Sequence, residues 1–87
     1  MTREETIQVK SLLHNVDREF VDSLLEKINL SIREKEVIRS TELDKITISE
    51  LAEKLFLSPD TISYIKKSAV KKIYLYSLQK NYIKTTK

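Results

Sequence analysis

Cysteine and glycine are both absent from the 87-residue chain, and proline occurs once, as Pro59. Without cysteine there can be neither a disulfide nor a thiolate metal site. Without glycine there are no glycine-rich phosphate loops and no Asn-Gly hairpin turns. No apolar run exceeds four residues, which is far too short to span a membrane. Leu, Ile, Lys and Glu dominate instead, and this composition predicts an all-α domain.

Most catalytic and metal-binding chemistry is also missing from the residue inventory. His14 is the only histidine, and no partner ligand stands near it at a metal-binding spacing, so we expect a surface residue and no metal site. No Ser-His-Asp set and no phosphate loop can be assembled. We therefore expect a protein that is not an enzyme and needs no cofactor. Residues 1–14 show no signal-peptide pattern, which predicts a soluble, cytoplasmic protein without a membrane partner.

Charge is distributed unevenly along the chain. Residues 1–45 contain 8 Lys+Arg and 10 Asp+Glu, whereas residues 46–87 contain 8 and 3. From Thr61 to the last residue there are seven lysines and no acidic side chain. Such a basic stripe suits a phosphate backbone or an acidic partner. Alternatively, these lysines form a solvated face that binds no partner.

Helix-start signals divide the chain into about five helices. A Ser or Thr followed three residues later by Glu forms a capping box, and three pairs match: Thr2…Glu5, Ser31…Glu34 and Thr47…Glu50. A fourth start is Ser58-Pro59, with proline at the first helical position. Apolar spacing predicts helices over 3–14, 17–29, 32–43, 48–56 and 59–76, the last able to continue to residue 83. The expected core face of the second helix holds Phe20, Leu24, Leu25 and Ile28.

The last two predicted helices form a helix-turn-helix. The apolar positions that this motif requires are occupied by Leu51, Ala52, Leu55, Leu57, Ile62 and Ile65. Ala52 falls where the two helices cross and only a small side chain fits. Phe56 replaces the usual glycine of the turn. An ordinary helical hairpin is the alternative interpretation.

We expect the fifth helix to enter the major groove of duplex DNA. Its positions 62, 65, 69 and 73 are apolar and face the core, which leaves a polar and cationic face outside. Lys66 and Lys72 flank that face and are expected near phosphates, and the N-terminal amides capped by Thr47 suit a phosphate as well. The predicted DNA-binding residues are Thr47, Ser58, Pro59, Asp60, Thr61, Ser63, Tyr64, Lys66, Lys67 and Lys71.

These residues resemble region 4 of bacterial sigma factors over about two thirds of the chain, from Asp17 to Ile73. Three blocks carry the resemblance: Leu30-Ser31-Ile32-Arg33-Glu34-Lys35-Glu36-Val37-Ile38, Thr47-Ile48-Ser49-Glu50-Leu51-Ala52-Glu53-Lys54-Leu55, and Ser58…Thr61-Ile62-Ser63…Ala69-Val70-Lys71-Lys72-Ile73. The first is similar to the family's Leu-Pro-x-Arg-Glu-Arg-Glu-Val-Leu, and the last to its closing Ala-Leu-x-Lys-Leu. LuxR-type output domains share the first block and the Leu-Phe-Leu-Ser turn. In LuxR-type domains, the interval that corresponds to Leu30–Ala52 is usually one residue shorter than it is in this chain. The spacing therefore favours the resemblance to region 4.

The resemblance implies a domain that binds the promoter −35 element and docks on the β-subunit flap of RNA polymerase. It places the family's base-contacting positions on Pro59, Asp60, Ser63 and Tyr64. Pro59 stands where the family often has arginine, which implies a different DNA target. A complete sigma factor also needs region 2, which binds the −10 element, and 87 residues leave no room for it. The resemblance therefore implies either a domain cut from a longer protein or a small sigma-like regulator.

Two other functions stay open beside a sigma-type regulator. One is a LuxR-type dimeric DNA-binding regulator, and the other is a protein-interaction or phage assembly adaptor that uses the same fold without binding DNA. We divide the chain into an N-terminal helical extension, 1–16, a helix-turn-helix domain, 17–76, and a basic C-terminal tail, 77–87. The sequence leaves the oligomeric state and the DNA target open.

Overall fold

The computed structural model describes residues 3–15 and 17–82, which contain five α-helices and no strand. The helices are α1 (Arg3–His14), α2 (Arg18–Lys27), α3 (Ile32–Ile38), α4 (Ile48–Leu55) and α5 (Pro59–Gln79). A π-helical segment, Arg39–Leu43, continues α3. The expected all-α, five-helix domain is therefore confirmed. None of these helices is long and apolar enough to cross a membrane.

Hydroxyl side chains start α3 and α4 where the sequence predicts. Ser31 Oγ accepts from the Glu34 N–H at 3.1 Å, and the Ser31 N–H donates to Glu34 Oε1 at 2.9 Å, which completes a capping box. Thr47 Oγ1 likewise accepts from the Glu50 N–H at 3.1 Å. Glu50 Oε1, however, accepts from the Thr47 hydroxyl rather than from its backbone. Only half of the second box therefore forms.

Helix ends differ from the predicted ranges in α2, α3, α4 and α5. Helix α2 was predicted over 17–29 and is observed over Arg18–Lys27. The predicted helix 32–43 is α-helical only to Ile38 and then widens into the π-helical segment. Helix α4 ends at Leu55, one residue early, and α5 continues to Gln79, past the predicted end at Tyr76. The predicted cap at Thr2 lies outside the described residues. These are shifts of element ends and leave the order of helices unchanged.

The main core lies between α1, α2 and the second half of α5. Its buried residues are Val9, Leu13, Val21, Leu24, Leu25, Ile28, Leu30, Ile38, Ala69, Val70, Ile73 and Tyr74. The expectation that Phe20 faces inward was wrong, because its side chain is 38% exposed. Its ring packs edge-on against Tyr82 at a centroid distance of 5.7 Å. Phe20 therefore lies at the edge of the core and not in it.

Helix α1 contributes to the same core as α2. Val9 and Leu13 of α1 are buried, and the segment predicted as a tail begins with Ser77, a buried residue of α5. The predicted division into 1–16, 17–76 and 77–87 stays a prediction. In the packing, helices on both sides of those limits share one core.

A second, smaller apolar cluster joins α4 to α5. Leu51, Ala52 and Ile62 are buried there together with Val37 of α3. Leu55, Leu57 and Ile65 are partly buried around them. The apolar positions predicted for a helix-turn-helix therefore pack against one another, and Ala52 is 3% exposed as expected at a helix crossing.

The turn between α4 and α5 is built without glycine. Phe56 adopts the left-handed conformation, with φ 57° and ψ 41°. The Leu57 N–H donates to the Ala52 carbonyl at 3.0 Å and the Phe56 N–H to the Glu53 carbonyl at 3.3 Å, which is the pattern of a Schellman motif. The Phe56 side chain is 94% exposed. A bulky residue therefore occupies a backbone position that favours glycine. Its exposed side chain gains no packing that would offset the free-energy cost of this conformation.

Candidate nucleic-acid interface

Helix α5 has one packed face and one exposed face. Ile62, Ala69 and Ile73 are fully buried along one side. On the opposite side, Asp60, Tyr64, Lys67 and Lys71 are exposed, with Tyr64 at 75%. Ser63 lies between the two faces and is partly buried. The structure therefore brings together on one exposed face four of the ten side chains that the sequence predicted to touch DNA.

Two hydroxyl residues of the predicted site, Thr47 and Ser58, act as helix caps. Ser58 Oγ accepts from the Thr61 N–H at 3.2 Å and lies 2.8 Å from Thr61 Oγ1. Both side chains are exposed, as are Thr47 and Pro59. Pro59 occupies the first turn of α5 and has no N–H to leave unpaired. The start of α5 is thus ordered by its own residues, and their remaining hydrogen-bonding capacity faces outward.

Lys66 occupies a different place from the one expected. It follows Ile62 by four residues and precedes Ala69 by three, so it projects from the packed stripe of α5. Its Nζ lies 2.9 Å from Glu42 Oε1, and its side chain is 19% exposed. The expected phosphate contact by Lys66 therefore lacks geometric support, because its charge is already paired.

Glu42, in the π-helical segment, is a buried carboxylate that the sequence reasoning missed. It is 6% exposed, and its Oε2 lies 2.7 Å from His14 Nε2. Burial acts to raise the pKa of Glu42, but hydrogen bonds from Lys66 and His14 outweigh burial and lower that pKa. His14, expected as a plain surface residue, thus joins α1 to the π-helical segment.

Glu34 forms a second buried contact with α5. Its carboxylate accepts from Lys72 Nζ and from Ser68 Oγ, each at 2.8 Å. Burial acts to raise the pKa of Glu34, yet hydrogen bonds from Lys72, Ser31 and Ser68 lower it to about 2. Lys72, expected near phosphates, is therefore paired as well.

The spacing of the two glutamates was a signal that could have revealed them. Glu34, Ile38 and Glu42 follow one another at intervals of four residues, which places both carboxylates on the side of buried Ile38. An acidic residue in register with a core position needs a partner. Lys66 and Lys72 are those partners, and the pairing holds α5 against α3 and the π-helical segment.

Two lysines of α5 stay unpaired. Within the described residues, Lys67 and Lys71 form no ion pair, in contrast to Lys66 and Lys72. Both side chains are exposed. Lys66 and Lys72 therefore help to hold α5 in place, whereas Lys67 and Lys71 are available to an anionic partner.

An open groove of about 660 Å³ runs along this surface between α1, α4 and α5. Its lining includes four lysines and no carboxylate. The lining residues are Thr6, Lys10, Ile48, Ser63, Tyr64, Lys66, Lys67, Ser68, Val70 and Lys71. Lys10 of α1 was not among the predicted site residues, although it lies beside the predicted face.

No family model matches this chain, and no curated protein and no solved structure matches it either. In the part of the chain that the structure describes, no group of three or more His, Asp or Glu side chains is arranged to hold a metal ion. The geometry of α4, α5 and the adjoining groove is therefore the basis for any functional assignment.

Proposed function

We propose that this chain is a duplex-DNA-binding transcription regulator of the sigma region 4 type, with α5 as the helix that enters the major groove. The observation that carries the proposal is the exposed face of α5, where Asp60, Tyr64, Lys67 and Lys71 stand opposite the buried side. A helix in a DNA groove needs donors, acceptors and cations on one outward face. Helix α4 packs behind α5 through Leu51, as the motif requires.

Lys67 and Lys71 supply the electrostatic part of this proposal. Each unpaired lysine at a DNA surface releases condensed counterions when it meets a phosphate, so affinity depends steeply on salt. The seven lysines after Thr61, without any acid, add long-range attraction. Pairing with Glu42 and Glu34 offsets the charges of Lys66 and Lys72, so these two lysines add little to the attraction and stay out of the contact set.

Asp60, Ser63 and Tyr64 supply the sequence-dependent part. Asp60 lies in the first turn of α5, where its charge is favourable for the helix dipole and unfavourable near phosphate. An acid in a major-groove helix fits a cytosine amino group, and an exposed tyrosine fits a thymine methyl group. We therefore assign base contacts to the first two turns of α5 and phosphate contacts to Lys67 and Lys71.

A promoter role and contact with the RNA polymerase β flap belong to the proposal through the resemblance to region 4. A cytoplasmic location follows from the same role. Capture of the flap domain by the purified chain tests this part and separates it from a LuxR-type dimeric regulator. If the chain binds DNA but not the flap, the DNA-binding assignment stands and the sigma-type assignment fails.

The first experiment measures affinity for duplex DNA of random sequence over a range of salt concentrations, by fluorescence anisotropy. The Lys67→Ala and Lys71→Ala variants should each lower the magnitude of the salt slope by about 1, and the double variant by about 2. Lys27→Ala removes an exposed lysine at the end of α2 and should leave the slope unchanged. Equal slopes for the double variant and the parent would contradict the proposal.

The second experiment selects binding sites from a random duplex library. Asp60→Ala or Tyr64→Ala should change the binding preference at one or two base pairs by about 1–3 kcal/mol. Lys71→Ala should instead lower the affinity for all sequences alike. The same motif for the parent and both face variants would place the base-contacting surface elsewhere.

A protein-interaction adaptor is the second candidate, and the exposed apolar side chains favour it. Ile32 is 88% exposed, Phe56 94% and Leu75 54%. Exposed apolar groups of this size suit contact with another protein. Absence of any enriched motif for the parent, together with salt-independent weak binding, would favour the adaptor.

A further inference from the structure

Helix α1 lies beside the proposed recognition helix and runs antiparallel to it. Near its start, α1 places Glu5 beside Tyr74 in the second half of α5, where burial and the Glu5 carboxylate raise the pKa of the Tyr74 hydroxyl. At its end, His14 contacts Glu42, which also holds Lys66 near the start of α5. Buried Val9 and Leu13 fix the helix between these two points. Its position beside α5 is therefore set by both packing and hydrogen bonds.

This placement makes α1 one wall of the groove described above. Lys10 follows buried Val9, is exposed, and forms no ion pair within the described residues. Glu42 attracts Lys10 electrostatically, but its carboxylate is already engaged by Lys66 and His14. Two carboxylates lie next to the lining: Glu42 pairs with Lys66, and Glu34 pairs with Lys72 and binds Ser68. Among the residues that the structure describes, Lys10, Lys67 and Lys71 remain unpaired in the lining, so the groove has net positive charge.

Helix α4 shows where a phosphate strand would run. In a helix-turn-helix complex the first helix crosses the DNA backbone while the second lies in the major groove. Ile48, the first residue of α4, lines the groove between α1 and α5. A sugar-phosphate strand that passes the start of α4 is therefore directed into the groove, with Lys67 on one side and Lys10 on the other.

Resting on the DNA-binding function proposed above, we propose that α1 is part of the DNA interface and that Lys10 contacts the phosphate strand lying in this groove. The interface then has three helices instead of the two of the motif. Lys10 contributes affinity without sequence preference, because a lysine on a phosphate carries no base information.

The test compares Lys10→Ala with Lys27→Ala in the full chain, because both remove one exposed lysine and change net charge equally. Binding to a 20-base-pair random duplex is titrated over salt. Lys10→Ala should weaken binding several-fold and lower the magnitude of the salt slope by about 1, while Lys27→Ala leaves the slope unchanged. Lys10→Arg should restore both values. Equal behaviour of the two alanine variants overturns the proposal.

Phosphate ethylation on a selected binding site gives a second measurement. The parent should be sensitive to one phosphate whose ethylation no longer matters in Lys10→Ala, and this phosphate should differ from those affected in Lys67→Ala. If the parent binds no duplex, the proposed function itself fails. If the parent binds and Lys67→Ala weakens it while Lys10→Ala does not, the proposed function stands and only the role of α1 falls.

Discussion

The two apolar clusters of this protein differ threefold in size. The main core buries twelve residues contributed mainly by α1, α2 and the second half of α5, whereas the α4–α5 cluster buries four. Since burial of apolar surface is the main stabilising term, the α4–α5 cluster should contribute less to stability than the main core. Helix α5 therefore connects the helix-turn-helix to the main core, to which α4 contributes no buried residue.

Helix α5 belongs to both clusters, and its two halves differ accordingly. The second half buries Ala69, Val70, Ile73 and Tyr74, whereas in the first half Ile62 is the buried apolar residue. Rigid anchoring at one end lets the other end present exposed side chains in a fixed geometry. A binding helix benefits from this division, because ordering it on binding costs less free energy when it is already held.

The largest expected effect comes from placing the same charge in each cluster. Ala69→Glu buries an unpaired carboxylate in the main core and should cost more than about 4 kcal/mol, close to the whole stability of a small domain. Ala52→Glu should cost about 3 kcal/mol and disrupt α4 while α1, α2 and the second half of α5 stay folded. Urea unfolding followed by circular dichroism gives the two free energies.

Hydrogen exchange locates the damage in the Ala52→Glu variant. Amides of α4 should lose protection while those of Leu24, Leu25 and Ile73 keep it. Uniform loss of protection would show that the two clusters unfold as one unit. A fully cooperative Ala52→Glu variant with parental stability would show that the helix crossing is assigned wrongly.

The next effect concerns the contact of Glu34 with α5. The pKa of Glu34 is lowered from its ordinary value of 4.5 to about 2, so its stabilising contribution is present above pH 4.5 and disappears as pH falls towards 2. Glu34→Gln should therefore be less stable than the parent by about 2–3 kcal/mol at neutral pH and equally stable near pH 2. Urea unfolding at several pH values measures the difference.

Glu36→Gln is the matched control for that prediction. Glu36 is exposed and pairs with Arg33 one helical turn away at 3.0 Å, a contact of the kind that contributes little. Its substitution should change stability by less than about 0.5 kcal/mol. A difference between the parent and Glu34→Gln that does not vary with pH would contradict the role given to the buried carboxylate.

Loss of the contact between Glu42 and α5 should cost less free energy than loss of the Glu34 contact. The reason is that His14 still binds the Glu42 carboxylate when Lys66 is removed. Lys66→Met keeps the apolar part of the side chain and leaves Glu42 with one partner, at a cost of about 1–2 kcal/mol. Lys67→Met, one residue along the helix, should change stability by less than about 0.5 kcal/mol. Affinity for DNA should respond in the opposite order, with the larger loss in Lys67→Met.

The smallest effect has the opposite sign and lies in the turn. Phe56→Gly relieves a left-handed backbone conformation without losing a buried side chain, and should stabilise the protein by about 1 kcal/mol. Asn81→Gly at φ 62° should change stability less, because asparagine tolerates this conformation. Thermal unfolding of both variants makes the comparison. Destabilisation by Phe56→Gly would mean that the ring makes a stabilising contact.

Local patterns in the sequence predicted much of this structure. The hydroxyl caps at Ser31, Thr47 and Ser58 and the packing of Leu51 against Ile62 all follow from interactions within a few residues or between adjacent helices. Caps and periodic apolar faces depend on short-range geometry, which the sequence carries directly. The outward face of α5, the main part of the candidate site, was predicted for the same reason.

Only the tertiary structure decided which lysines of α5 are available to a partner. Lys66 and Lys67 are adjacent and chemically identical, yet Lys66 pairs with Glu42 and Lys67 stays unpaired within the described residues. The difference depends on a carboxylate 24 positions earlier, buried where α1 and the π-helical segment meet α5. A buried charge takes its partner from whatever the fold brings near it, and periodicity along one helix does not contain that information.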